Sequence, residues 1–316
     1  MPELPEVETI VRGLKTKVLR RTFVDVWTDF KKTIRLRSDL GGQVKKSDSF
    51  KVFKKRIKGK KILDIRRRGK NIIFDLSDGL SLLIHQKLTG HLLYGNWNMK
   101  QGKWLAGEKG WLEDPVNRFI HLMFWLDNGR MLALSDLRKF AKVELWDKEE
   151  LRTSEEMKSL GPEPLERDFT FEKFKETLRQ GHSAKLSRSP QGKPRKGKIK
   201  QVLMNQKVIA GIGNIYSDEI LWEAKIHPFK EINGLNAGEI RKVYGAVKKI
   251  LNRAIELKGD SMSDYRLITG EKGGYQKFQK VYQQEGKPCK RLDGGIIKRV
   301  KIGGRSARFC PVCQKM

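Results

Sequence analysis

The change of hydrophobic period near residue 150 constrains the fold of this 316-residue chain more than any other feature of its sequence. From about residue 22 to 146, apolar residues alternate in short runs separated by turn residues, a pattern typical of β-strands. After residue 150 the alternation stops and apolar residues recur at helical spacing. Strands followed by helices indicate the α+β class, with a domain junction near this point.

The turns between apolar runs predict two β-hairpins. Asp-Gly and Asn-Gly pairs favour the positive φ angles of hairpin turns. Ser-Asp-Gly at 77–79 separates the runs 72–76 and 80–84, and Asp-Asn-Gly at 127–129 separates the runs 119–126 and 131–134. Several such strands within about 125 residues predict an antiparallel β-sandwich.

Helices are predicted before and after the strands in the sequence. An amphipathic helix at 7–18 should pack against the sandwich, because Val7, Ile10, Val11, Leu14 and Val18 share one face. Further helices are expected at 170–179, 198–206, 214–225 and 236–257. The predicted domains are a β-sandwich at 1–150, a helical domain at 165–262, a loop region at 263–284 and a C-terminal hairpin at 285–316.

The net charge restricts the class of partner. Lys and Arg number 67 against 37 Asp and Glu, which gives a formal charge of +30. Such a charge favours a polyanion, and nucleic acid is the leading candidate ahead of an anionic membrane surface. The chain has no apolar run of transmembrane length and its acidic N-terminus is unlike a secretory signal, so we expect a cytosolic protein. The basic segment 181–200 is expected to be a mobile loop that attracts phosphate without sequence preference.

The first residues, Met1-Pro2-Glu3-Leu4-Pro5-Glu6, permit covalent chemistry. Once Met1 is removed, Pro2 presents a secondary amine that can attack an electrophilic carbon and form an iminium. The neighbouring Glu3 carboxylate can move the protons that such chemistry requires. The same residues are also explained by a helix start alone, because proline suits the first turn and carboxylates complement the positive helix end.

A glycine-rich turn inside 207–219 is a candidate phosphate site. Gly211 and Gly213 permit a tight turn, and Asn214 begins a predicted helix. Exposed amides and the helix dipole bind phosphate at such a position, although an ordinary helical hairpin fits the fragment equally well.

The three cysteines, Cys289, Cys310 and Cys313, all lie near the C-terminus. One C-x-x-C after a strand resembles half of a zinc ribbon, but Leu292 stands where a second cysteine would pair with Cys289. Zinc would then need Asp293 or water as its fourth ligand. The alternative is a hairpin with weakened or absent zinc.

Over essentially its whole length, and with its motifs in the same order, the chain resembles the formamidopyrimidine-DNA glycosylases of the helix-two-turn-helix family. Six motifs carry the resemblance: PELPEVE from residue 2, RRRGK at 66–70, HQKLTG at 85–90, SDLRKF at 135–140, IAGIGNIY at 209–216 and GGRSARFCPVCQ at 303–314. The resemblance implies a β-sandwich, a helix-two-turn-helix domain and a zinc-finger hairpin. It also implies a bifunctional glycosylase and AP lyase that removes oxidised purines, 8-oxoguanine and formamidopyrimidines, through a proline Schiff base and β,δ-elimination.

The resemblance assigns roles to individual residues. It makes Pro2, Glu3 and Lys70 catalytic, with Glu6 as possible support. After the damaged base leaves the stack, the void would be filled by Leu88, Arg138 and Phe140, with Leu88 replacing the family's usual methionine. It assigns phosphate contacts to Lys200, Asn214 and Arg305. It places Tyr265 in the lesion loop, and it makes Cys289, Cys310 and Cys313 the zinc ligands.

Two other functions stay open from the sequence. One is an endonuclease VIII-like glycosylase for oxidised pyrimidines. By the same resemblance, Leu4 and the long loop at 260–280 favour the enzyme for oxidised purines instead. The other is a non-catalytic relative that only binds DNA. The expected partner is damaged double-stranded DNA, bound by a monomer.

Overall fold

The computed structural model describes residues 1–37, 48–179 and 195–316, which form two compact units. The first contains Met1–Lys158 and Leu257–Gln276, and the second contains Ser159–Glu256 and Lys277–Met316. The chain therefore returns to the first unit after its helices, whereas the predicted domains follow one another along the sequence. Most of the predicted basic loop, residues 181–194, lies outside the described residues.

Two sheets make up most of the first unit. One pairs its strands in the order β1-β9-β10-β6 and the other in the order β2-β11-β5-β4-β3. All these pairs are antiparallel except β2 with β11. The strands of the first sheet are β1 (Phe23–Thr28), β6 (His91–Gly95), β9 (Ile120–Leu126) and β10 (Met131–Ser135). Those of the second are β2 (Ile34–Leu36), β3 (Ile62–Arg68), β4 (Asn71–Leu76), β5 (Leu80–His85) and β11 (Lys142–Asp147).

Both hairpins predicted from their turns are confirmed, as β4 with β5 and β9 with β10. In the first of them, Asp78 and Gly79 have φ angles of 57° and 69°, which match the right-handed twist of paired strands. A smaller hairpin joins β7 (Trp97–Lys100) to β8 (Lys103–Ala106).

One hydrophobic core joins the two sheets, as in the predicted sandwich. Phe23 of the first sheet and Phe74 of the second are both buried, and their ring centroids lie 6.5 Å apart. Helix α1 (Leu4–Val18) adds its apolar face to this core, and all five residues predicted for that face are buried. The remaining helices of this unit are α2 (Ser49–Ile57), α3 (Lys148–Thr153) and α4 (Glu155–Lys158).

The second unit is helical and ends in a hairpin, which confirms the predicted α+β class. Its elements are α5 (Phe171–Arg179), α6 (Ile199–Met204), α7 (Asn214–Ala224), α8 (Ala237–Glu256), β12 (Lys298–Ile302) and β13 (Arg305–Phe309). Helix α7 contacts α6, α8 and β13, so it is buried on nearly every side. Among the described residues, no helix is both long and apolar enough to span a bilayer.

Candidate functional site

The N-terminal segment is anchored by the buried Glu6 carboxylate. One of its oxygens accepts the backbone N–H of Glu3 at 2.8 Å, which caps the start of α1. The other accepts the N–H of Asp260, also at 2.8 Å. The structure thus gives Glu6 the helix-start role that was the simpler interpretation, and adds a contact with a segment distant in sequence.

Tyr265, assigned to the lesion loop by resemblance, is buried in this structure. Its side chain is only 4% exposed and belongs to the core of the first unit. Its hydroxyl donates to the Glu6 carbonyl at 3.4 Å. Burial, and then the nearby Glu6 carboxylate, raise the pKa of Tyr265 well above its usual value. A neutral, buried phenol in this position supports the N-terminal segment and does not present a surface to a base.

A cavity of about 470 Å³ connects the chain end with two of the predicted void-filling residues. Met1, Leu88 and Phe140 all line it. The rest of its wall is aromatic at Phe30 and otherwise mainly cationic, with Lys32, Arg35, Lys87, Lys139 and Lys142. A cavity of this composition suits an anionic ligand that carries flat rings.

The two loops that carry the void-filling residues are joined by a buried carboxylate, Asp136. Its Oδ1 accepts the Thr89 hydroxyl, and its Oδ2 accepts the N–H of Ala141 at 2.8 Å. The Thr89 oxygen in turn accepts the N–H of Arg138 at 3.1 Å. Sequence reasoning missed Thr89 and Asp136, although a Ser-Asp pair that ends a strand is a signal for such a turn.

The side chains of the three void-filling residues differ in exposure. Phe140 is 49% exposed, and the Arg138 guanidinium lies 4.7 Å from the centroid of its ring. Leu88 is half-buried. Lys87 and Lys139, which directly precede Leu88 and Phe140, have φ angles of 57° and 56°. Residues other than glycine rarely adopt this left-handed backbone conformation. The backbone strain that results, about 1 kcal/mol or more, is concentrated at functional sites.

Lys70 lies at the turn between β3 and β4 and is 8% exposed. It contributes to the electrostatic surroundings of His85: burial first, then Lys87, Lys70 and Lys142, lower the pKa of His85 to about 3. His85 is therefore a neutral imidazole, and its Nδ1 accepts the N–H of Lys87 at 3.0 Å. This contact helps to hold the strained backbone before Leu88.

In the second unit, Gln206 organises the turn before α7. Its amide nitrogen donates to the carbonyls of Met204 and Ile212, and its oxygen accepts the N–H of Gly211 at 2.8 Å. Asn214 then begins α7, and its side-chain oxygen is buried without a hydrogen-bond partner in the described part of the chain. Sequence reasoning found Asn214 but missed Gln206.

Lys200 was assigned to a DNA phosphate by resemblance. Its side chain is fully buried, and its ammonium lies 2.5 Å from Asp218 Oδ1 and 3.4 Å from the Asn214 carbonyl. In this structure the enclosed ammonium balances the buried Asp218 carboxylate. Arg305, by contrast, is exposed at the start of β13, after the Gly303-Gly304 turn.

Glu219 is a second buried carboxylate on α7. It accepts the backbone N–H groups of Lys280, Val281 and Tyr282 at 2.9–3.1 Å. Burial, supported by the nearby Asp218, raises the pKa of Glu219 to about 7. Burial likewise raises the pKa of Asp218 to about 6, against the opposing effect of Lys200. Both groups connect α7 with other parts of the second unit.

We expect the free energy of unfolding to fall between about pH 5 and 7. Because their folded pKa values lie above the unfolded ones, Asp218 and Glu219 hold protons more tightly in the folded chain. Each can lower stability by up to about 1.4 kcal/mol per pH unit across its window. Urea unfolding at several pH values measures the slope. Glu219→Gln should flatten it, whereas Glu223→Gln on the same helix should not, and equal slopes in all three proteins would contradict this assignment.

The cysteines form a compact cluster with Asp293. One ligand atom from each of Cys289, Asp293, Cys310 and Cys313 lies within 4.8 Å of all the others. Leu292, at the position where a fourth cysteine was expected, is 90% exposed and points away. Asp293 lies 3.5 Å from the Cys310 sulfur and supplies the fourth donor. The cluster can hold a metal ion, and the absence of a fourth cysteine does not leave it incomplete.

Comparisons with known proteins agree with this arrangement. Residues 1–143 match the family model of the formamidopyrimidine-DNA glycosylase N-terminal domain, and residues 160–266 match that of its H2TH domain. Formamidopyrimidine-DNA glycosylases of Pelotomaculum thermopropionicum and Streptococcus thermophilus are 38% and 35% identical to this chain, and each alignment covers 100% of both proteins.

Solved structures show the same similarity. The Lactococcus lactis Fpg in complex with DNA that contains an abasic site has a TM-score of 0.79, and the complex with Fapy-dG-containing DNA has a TM-score of 0.78. Each is 32% identical and covers 99% of this chain and 100% of its own. The fold and its N-terminal site therefore define a DNA glycosylase. The chain belongs to the formamidopyrimidine-DNA glycosylase family.

Proposed function

We propose that this chain excises oxidised purines from double-stranded DNA and then cleaves the strand, with Pro2 as its nucleophile after removal of Met1. The observation that carries the proposal is the shared cavity. The chain end at Met1 and the void-filling residues Leu88 and Phe140 line one cationic space. A reaction centre for a base that has left the stack needs both features side by side.

The chemistry follows from the amine. The Pro2 nitrogen attacks C1′ of the damaged nucleotide, the glycosidic bond breaks, and the base leaves with a proton. Opening of the sugar ring gives an iminium, and Glu3, buried beside Pro2, moves the protons. Loss of a C2′ proton expels the 3′ phosphate, and a second elimination expels the 5′ phosphate. Lys70 adds positive charge near the reacting nucleotide.

The DNA contacts are divided between side chains of different kinds. Phe140 replaces the lost stacking, Leu88 fills apolar space, and Arg138 donates hydrogen bonds to the unpaired base. Asn214 at the start of α7 and the exposed Arg305 bind phosphates, which favour helix N-termini and guanidinium groups. We propose that the protein acts as a monomer on chromosomal DNA in the bacterial cytosol.

Borohydride trapping with two duplexes tests the proposal. An 8-oxoguanine duplex should give a covalent protein–DNA adduct at least about ten times faster than a dihydrouracil duplex, because a similar solved structure was bound to DNA with a purine lesion, Fapy-dG. The reverse preference would identify an endonuclease VIII-like enzyme. Binding without any adduct, in protein whose N-terminus is verified as Pro2, would leave only the non-catalytic function.

Asp136→Asn is expected to slow excision by about ten- to a hundredfold, with little change in binding to undamaged DNA. The new amide has one acceptor oxygen instead of two, so either the Ala141 N–H or the Thr89 hydroxyl loses its acceptor, and the loop of Arg138 and Phe140 would shift. Single-turnover excision and a duplex-binding assay measure the two effects. Asp127→Asn, the same change in an exposed hairpin turn, is the control. Excision as fast as that of the control would contradict the positioning role of Asp136.

We further propose that Cys289, Asp293, Cys310 and Cys313 hold zinc. A tetrahedral Zn–S bond of about 2.3 Å places two sulfurs about 3.8 Å apart, and the Cys289 and Cys313 sulfurs lie 4.0 Å apart. Gly295 packs tightly against the cluster, because an added Cβ would lie 2.4 Å from the Cys310 sulfur. When bound, zinc would supply a structural crosslink beneath the hairpin that carries Arg305, with no part in the chemistry at Pro2.

A further inference from the structure

Two side chains outside the ligand set donate hydrogen bonds to the cysteine cluster. The Trp222 indole N–H lies 3.4 Å from the Cys289 sulfur. The Arg291 guanidinium lies 3.3 Å from the Cys313 sulfur through Nη1. N–H donors to a sulfur ligand fix its orientation, and groups of this kind around metal ligands are part of a metal centre.

Arg291 and Trp222 also support each other. The guanidinium carbon lies 3.7 Å from the centroid of the Trp222 ring, a close stacking contact between a cation and an aromatic face. This stacking fixes the plane of the guanidinium and the direction of the indole N–H. Neither donor can reorient without disturbing the other.

The same guanidinium caps the C-terminal end of α7. Its Nη1 donates to the Trp222 carbonyl at 2.8 Å, and its Nη2 donates to the Glu223 carbonyl at 3.1 Å. Carbonyls in the last turn of a helix lack partners within the helix and carry partial negative charge. Arg291 therefore joins the helix end to the Cys313 sulfur.

Charge also favours an arginine at this position. Three thiolates and one carboxylate exceed the charge of a divalent ion, so the loaded centre keeps excess negative charge. A permanently charged guanidinium in contact with sulfur offsets part of it. Groups around metal ligands commonly determine affinity in this way, by about 10- to 100-fold.

We propose that Arg291 and Trp222 are positioning residues of the metal centre, which hold Cys313 and Cys289 for the metal and connect its occupancy to the last turn of α7. The inference depends on the proposed metal binding. Since α7 begins at Asn214, the helix that presents a phosphate-binding side chain at one end is stabilised by the metal ligands at the other.

Cobalt(II) and zinc(II) titrations of the full-length protein test this inference. Cobalt thiolate absorption reports the ligand geometry directly, and competition with a chromophoric chelator gives the zinc affinity. We expect Arg291→Met to weaken zinc binding by about 10- to 100-fold and to alter the cobalt bands. Trp222→Phe, which removes the N–H and keeps a ring, should have a smaller effect in the same direction. Arg291→Lys, which keeps the charge, should restore part of the affinity.

Arg299→Met is the matched control, because Arg299 lies in the same hairpin and donates to the Ser306 hydroxyl. It should bind zinc as the unsubstituted chain does. Hydrogen–deuterium exchange adds a second readout: metal should slow exchange at the end of α7 in the unsubstituted chain and much less in Arg291→Met.

The results distinguish the positioning role of Arg291 and Trp222 from the metal binding on which it depends. Zinc affinities and cobalt bands of Arg291→Met and Trp222→Phe that equal those of the control would overturn the positioning role and leave the metal centre intact. An unsubstituted chain that binds neither ion would overturn the metal centre and this inference together. A variant that loses its helical circular dichroism is replaced in the comparison by the milder Trp222→Phe.

Discussion

A chain that keeps residues before Pro2 is expected to give no trapped adduct with an abasic or 8-oxoguanine duplex. While Met1 is attached, the Pro2 nitrogen is an amide and has no nucleophilic lone pair. Loss of a covalent nucleophile reduces turnover by at least about a thousandfold. The measurement compares the processed chain with one that carries a Gly-Ser extension before Pro2, each defined by mass spectrometry.

Two controls separate the loss of the amine from other effects. The extended chain should still bind the abasic duplex, because Asn214 and Arg305 are unchanged. Pro5→Ala changes the other proline of the same motif, within the first turn of α1, and should keep the adduct. An adduct formed by the extended chain at the normal rate would place the nucleophile elsewhere, with the nearby cation Lys70 as the first alternative.

Lys200→Met should lower the free energy of unfolding by about 3–5 kcal/mol, because it leaves Asp218 buried without its cation. Urea unfolding at pH 8, above the raised pKa of Asp218, measures the loss. The double variant Lys200→Met with Asp218→Leu removes both charges and should recover most of the stability.

The salt dependence of DNA binding distinguishes this buried role from the phosphate contact expected by resemblance. A lysine that contacts phosphate contributes about one unit to the slope of log affinity against log salt. We expect Lys200→Met to leave that slope unchanged, and Arg305→Met, at an exposed position, to reduce it. A reduced slope with unchanged stability in Lys200→Met would restore the phosphate role.

The sequence predicts the elements of this fold well because their signals are local. The face of α1 and the hairpin turns at 77–79 and 127–129 follow from spacing and turn residues alone, and the structure contains all three. Pro2, Leu88 and Phe140 were found through motifs, and Met1, which precedes Pro2, lines one cavity with Leu88 and Phe140. Their catalytic and void-filling roles stay predictions until the trapping experiments are done.

Local patterns do not encode long-range burial. Lys200 was assigned to phosphate by resemblance, and its buried partner Asp218 cannot be identified by spacing. Tyr265 was assigned to the lesion loop by resemblance, and its side chain packs in the core of the first unit. At the metal cluster, a backbone turn exposes Leu292 and places Asp293, which the sequence already offered as a possible fourth ligand, beside the cysteines.

The bond between Glu6 and Asp260, separated by 254 residues, has a consequence for the order of events during synthesis. The ribosome releases the N-terminus first, and residue 260 emerges only when most of the chain has been translated. An aminopeptidase can therefore remove Met1 from the nascent chain before this contact forms. The amine is thus exposed early and fixed late, and a truncated translation product would carry the reactive group without the contact that holds it in place.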